Sequence, residues 1–163
     1  MSADPAPLRA GRRSFLIQSG QLAAGAALVC LLPASPGRAS PQASQELIHS
    51  IIGDGSLQPG RVNLDVPPLV ENGNTVPLTV SVDSPMTEAD HVKAIHIVNE
   101  KNPQPHVISV TLGRQAGKAQ LATRIKLADS QRITAIAEFN DGSFWSGSAD
   151  VVVTLAACVE DLK

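Results

Sequence analysis

The chain has 163 residues, 13 basic and 15 acidic, a formal net charge of −2 and only 2% aromatic residues. Its two cysteines cannot build a disulfide framework, and once the N-terminal leader is set aside no basic run of the kind a nucleic acid partner needs remains. Val, Ile, Leu and Ala must therefore supply the core of one domain.

The leader comes first in the chain. Arg12-Arg13-Ser14-Phe15-Leu16 is a twin-arginine pair followed by two bulky apolar residues. An apolar run from Leu22 to Leu32 ends at Pro33, and Gly37-Arg38-Ala39 offers a small-x-small cleavage site. This order predicts a signal peptide over residues 1–39, cut after Ala39, and the paired arginines point to Tat export of a folded periplasmic protein. About a dozen apolar residues fall short of the ~20 that a spanning helix needs. Cys30 follows Val29, where a lipid anchor wants a small residue. The expected mature chain of 124 residues carries 9 basic and 14 acidic side chains, net −5, and no membrane attachment.

Residues 40–60 read as an N-terminal helix and linker. Ser44 is placed to cap a helix from Gln45 to Ile52, Leu47, Ile48, Ile51 and Ile52 make one apolar stripe, and Gly53-Asp54-Gly55 ends it. Over residues 61–155 the period changes to two. Val62, Leu64 and Val66 alternate with polar residues, as do Val76, Leu78, Val80 and Val82. His91–Asn99 is apolar enough for a central strand. Ile108 to Leu112, Ala119 to Leu127, Ile133 to Phe139 and Val151 to Leu155 continue the pattern. Asn72-Gly73-Asn74, Ser84-Pro85, Asn102-Pro103, Gly113 to Gly117 and Asp129-Ser130 mark turns, and Asn140-Asp141-Gly142 predicts a hairpin. About seven short strands at this spacing predict an all-β, immunoglobulin-like antiparallel sandwich. Residues 156–163 form a C-terminal arm.

The arm holds the chemistry. Ala156-Ala157-Cys158-Val159-Glu160 places the single thiol of the mature chain five residues from the end, beyond the regular strand. An unpaired thiol in an oxidising compartment marks a reactive group. Counted from Thr154, four extended residues at ~3.3 Å each give a reach of about 13 Å. Elsewhere the pattern is bland. His49, His91, His96 and His106 lack same-face metal spacing, with His91 and His96 expected on opposite faces of a strand. Glu88 and Asp90 fit solvent exposure or capping in a loop. No nucleophile elbow, phosphate loop or zinc spacing is present, so no catalytic residue, metal or cofactor is expected. A non-catalytic carrier is the reading; a structural or interaction β-sandwich domain whose cysteine crosslinks a partner or is incidental is the alternative.

Two segments sharpen this. The stretch Asn72-Gly73-Asn74-Thr75-Val76-Pro77-Leu78-Thr79-Val80-Ser81-Val82-Asp83-Ser84-Pro85-Met86 resembles a characteristic segment of the SoxY family of thiosulfate-oxidation carriers. Ala135-Ile136-Ala137-Glu138-Phe139-Asn140-Asp141-Gly142-Ser143-Phe144-Trp145 is similar to a second. The likeness covers the exported chain. The family's arm normally reads Gly-Gly-Cys-Gly-Gly; the arm here resembles the SoxY-related branch ending Ala-Ala-Cys-Ile-Glu, with Val159 in place of isoleucine. The resemblance implies that Cys158 is a covalent attachment point. It also implies a SoxZ-like β-sandwich partner and periplasmic redox and hydrolytic enzymes that load and unload the thiol. Ala156, Ala157 and Val159 are stiffer than glycine. Glu160 and Asp161 disfavour the thiolate, and one unit-charge pair at ~6 Å in water repels an anion by about 0.7 kcal/mol.

Overall fold

The computed structural model describes residues 41–157. Arg12, Arg13 and Ala39 of the export reading, and Cys158, Val159 and Glu160 of the arm, lie outside these residues. Among the described residues the chain forms helix α1 (Pro41–Ile52) and nine strands: β1 (Leu57–Pro59), β2 (Val62–Asp65), β3 (Leu69–Val70), β4 (Val76–Val82), β5 (Val92–Asn99), β6 (His106–Thr111), β7 (Gln120–Ile125), β8 (Gln131–Phe139) and β9 (Phe144–Val153). None of the described helices is long and apolar enough to cross a membrane.

The strands make two sheets, as the alternation predicts for an immunoglobulin-like sandwich. The larger has the order β1-β9-β8-β5-β6, with β3 also pairing β9; the smaller is β2-β4-β7. Strand neighbours along β9-β8-β5-β6 and β2-β4-β7 are antiparallel. Val76, Leu78, Val80 and Val82 of the small sheet meet Ile95, Ile97, Ile133, Ala135, Ala137 and Phe139 of the large one. Phe139 is the one aromatic side chain sealed in this core, 1% exposed.

The large sheet buries its second face too. Ala94, Val98 and Ile136 alternate with core residues, point outward and are buried, and α1 packs against β5 there. Burial of each large side chain contributes about 1.5–3 kcal/mol.

The structure departs from the sequence reading in three places. Two short strands, β1 and β3, run parallel to β9, so residues 57–59 are part of the sheet rather than linker. Strand β9 begins at Phe144, directly after the predicted Asn140–Gly142 turn, where Gly142 takes a φ of 82°. Ser44 is not the N-cap. The helix starts at Pro41, a residue suited to a first turn because that amide needs no partner, and Ser44 is buried within it.

Candidate functional site

The C-terminal arm is fastened to the fold by main-chain bonds. After β9, the Thr154 N–H donates to the Val70 carbonyl (3.0 Å) and its hydroxyl to the Glu71 carbonyl (3.2 Å). Leu155 turns its side chain outward, 62% exposed, while its carbonyl accepts the Gly73 N–H at 2.8 Å. Ala156 is exposed. Ala157 is buried, and its N–H donates to the Leu127 carbonyl at 2.9 Å. The Leu127 N–H in turn donates to the Gly73 carbonyl at 2.8 Å.

The seat for this strap is stiff. The Leu127 side chain is fully buried in the core. On either side of it the Asn102 side chain donates to the Lys126 carbonyl (2.8 Å) and accepts from the Ala128 N–H (2.9 Å). Gly73 sits in a turn in which Asn72 Oδ1 accepts the Asn74 N–H at 2.9 Å. Only glycine fits there. A Cβ on residue 73 would lie 2.4 Å from the Leu127 carbonyl oxygen and 2.9 Å from the Ala157 nitrogen. The sequence reading begins the arm at Ala156 and counts its reach from Thr154. Among the described residues its hydrogen bonds run to Ala157, which immediately precedes Cys158, so the reach counted from that bonded residue is one residue rather than four.

The other candidates fall into structural roles. His91 precedes β5, so strand parity does not govern it; its N–H donates to Asn140 Oδ1 and its Nδ1 lies 3.0 Å from the Thr87 carbonyl. Asp90 takes both its bonds from Arg61 Nη2, at 2.9 and 3.1 Å, and Glu88 pairs with Arg114 at the surface. His96 has partners that the sequence reading did not foresee. Antiparallel pairing sets His96 opposite Ser109, and the Ser109 hydroxyl lies 2.7 Å from His96 Nδ1 and 2.8 Å from His106 Nε2. His96 Nε2 is buried without a hydrogen-bond partner among the described residues. Burial, opposed by Glu138 and aided by His106, pushes the His96 pKa below its ordinary value. The cross-strand opposition of β5 and β6 carries this cluster; spacing along one chain does not reveal it. Among the described residues no group of three or more His, Cys, Asp or Glu is arranged to hold a metal ion.

Comparison with known proteins addresses the rest of the site. A family model described as "Sulfur oxidation protein SoxY" matches residues 48–158, which is more than half of the chain. No curated protein sequence matches significantly. Among solved structures, the sulfur carrier protein SoxY from Chlorobium limicola f thiosulfatophilum is 24% identical, with a TM-score of 0.59, over 71% of this chain and 100% of that one. A superoxide reductase (neelaredoxin) from Ignicoccus hospitalis is 18% identical, with a TM-score of 0.52, over 58% of this chain and 80% of its own. At these identities both likenesses concern the fold. The matched span of the family model closes on residue 158, the residue bonded to Ala157.

Proposed function

Because this chain belongs to the SoxY family of sulfur oxidation proteins, we propose that it is a non-catalytic covalent carrier that holds a sulfur-containing group on Cys158 while partner enzymes act on it. The observation that supports this reading most directly is the family match, which runs to residue 158 and so includes the thiol. Export through the twin-arginine pair Arg12-Arg13 and removal of the leader after Ala39 put the carrier in the periplasm, where Cys158 is its single thiol. A SoxZ-like β-sandwich subunit completes the working complex.

With thiosulfate as cargo, loading is a two-electron oxidation. The thiolate of Cys158 and the terminal sulfur of thiosulfate form an S–S bond, and both electrons pass to a partner cytochrome. A partner hydrolase then adds water across the bond to the sulfonate. Sulfate leaves, two protons are released, and the outer sulfur stays on the cysteine as a persulfide. The protein's own contribution is a nucleophile at a defined exit from the fold. Ala156 and Ala157 lead to it; Val159 and Glu160 follow it and bring a negative charge close to the sulfur.

The Cys158→Ser variant tests the reading. It keeps the volume near that of cysteine but cannot form the S–S bond. The carrier account expects the variant to assemble with its partner subunit as the parent does, while sulfur-dependent oxygen uptake by the reconstituted system disappears. Failure of the complex itself would instead indicate a crosslinking thiol, and unchanged oxygen uptake would remove Cys158 from the chemistry.

A further inference from the structure

We propose that Gly73, Leu127 and Ala157 form a latch that sets how far the arm cysteine travels. The proposal rests on the reading of Cys158 as the carrier residue. The latch is a closed ring of main-chain bonds: Gly73 N–H to Leu155, Leu127 N–H to Gly73, and Ala157 N–H to Leu127.

The two sides of the ring differ in strength. On the receiving side, Leu127 is rooted in the core and bracketed by Asn102. The Gly73 turn is held by Asn72. On the arm side, among the described residues, Leu155 and Ala156 are exposed and the small side chain of Ala157 is buried. Segments held by few buried apolar groups open at low free energy, whereas a core-rooted seat stays closed until the domain unfolds. The strap therefore peels and the seat remains.

Peeling moves the last anchor back from Ala157 to Thr154, which is held by Val70 and Glu71. The cysteine then stands four residues beyond the anchor instead of one. At ~3.3 Å per extended residue its tether grows from about 3 Å to about 13 Å. The short state keeps the sulfur beside the fold and the long state lets it enter a partner's cleft. Gly73 is a positioning residue in this scheme: it touches the strap at Leu155 and Ala157, and no larger residue fits between Leu127 and Ala157.

The experiment uses the mature chain and measures alkylation of Cys158 by a small reagent, iodoacetamide, and by a bulky one, a polymer-linked maleimide. Amide exchange of core residues Ile95 and Ile136 reports on the fold. Gly73→Ala forces the strap out of its seat. Ala157→Pro removes the donor to Leu127 and leaves the 72–74 turn intact. Each variant is expected to speed the bulky reagent relative to the small one by about tenfold, the scale of losing one or two such bonds, with core exchange unchanged. Unchanged reagent ratios in folded variants overturn the latch, and so does loss of core protection in both variants, because the strap would then be inseparable from the fold. A chain that never carries sulfur but still shows the reagent effect loses the carrier reading and keeps the latch; a loaded chain without the effect does the reverse.

Discussion

Protonation of His96 would add an N–H at Nε2, where the described residues offer neither an acceptor nor solvent. The ring is better off with Nδ1–H donated to the Ser109 hydroxyl and a bare lone pair at Nε2, since a buried orphan donor costs more than the bond it replaces. Burial lowers the folded pKa below the ordinary 6.5 of the unfolded chain, with Glu138 opposing and His106 adding to the fall. In the window below 6.5 the unfolded state binds the proton first, so stability drops as pH falls toward the folded value. Urea midpoints at about pH 7.5 and about pH 5.5 test this. The parent should lose stability between them, and His96→Leu should lose less. Gly147 is a second critical single residue. A Cβ there would stand 2.2 Å from the Val62 carbonyl oxygen, where β2 crosses β9. Gly147→Ala is expected to cost about 1–3 kcal/mol, read from the denaturation midpoint.

At the scale of elements, the chain passes from the large sheet to the small one between β1 and β2, through Gly60 (φ 111°) and Arg61 (φ 54°). A non-glycine residue in that region is strained unless its surroundings hold it. Arg61 is held well: its Nη2 reaches both carboxylate oxygens of Asp90, its Nε–H donates to the Asp83 carbonyl, and its guanidinium lies 4.0 Å above the Phe139 ring. This ties the 83–90 loop to the crossover. Arg61→Ala should therefore cost about 1–2 kcal/mol, the sum of a half-exposed ion pair and a cation–π contact. Arg61→Lys should recover little, because one ammonium cannot replace two separate guanidinium nitrogens, Nε on the Asp83 carbonyl and Nη2 on Asp90. A thermal melt checks both variants.

The elements also show what a sequence can reveal. Alternation exposed β2, β4 and β6 to β8, because side-chain polarity records a buried face, while β5, buried on both faces, stood out as a run apolar enough to be central. Asn140-Asp141-Gly142 exposed the hairpin through its turn chemistry. Strands β1 and β3 have three and two residues, too few for a period, and they exist because β9 offers its edge. The start of β9 was hidden by Ser146, Gly147 and Ser148, which carry no apolar alternation. Cys158 stood out as a lone thiol on a polar tail. The pinning of Ala157 did not, since bonds between backbone groups leave no mark on residue type. Gly73 was the available hint, and it read only as a turn.

At the scale of the whole molecule, one end of the sandwich gathers the 70–74 segment, the 126–131 segment and the end of β9. Ser130 adds to this junction, its hydroxyl accepting the Val153 N–H at 2.9 Å. Rigidity there is useful to a carrier, because a tethered group is presented at high effective concentration only when its point of attachment is fixed. Ile136→Ala, buried on β8 and five residues along the strand from its Gln131 end, is expected to cost about 2–5 kcal/mol of stability. At a temperature where it remains folded, it should leave cysteine alkylation rates unchanged. The most direct test of the carrier account is the intact mass of the protein isolated from its native host. Reductant-sensitive mass increments that map to Cys158 and rise when the cells oxidise sulfur compounds are the predicted result; a chain that stays at its bare mass with substrate and partners present would contradict it.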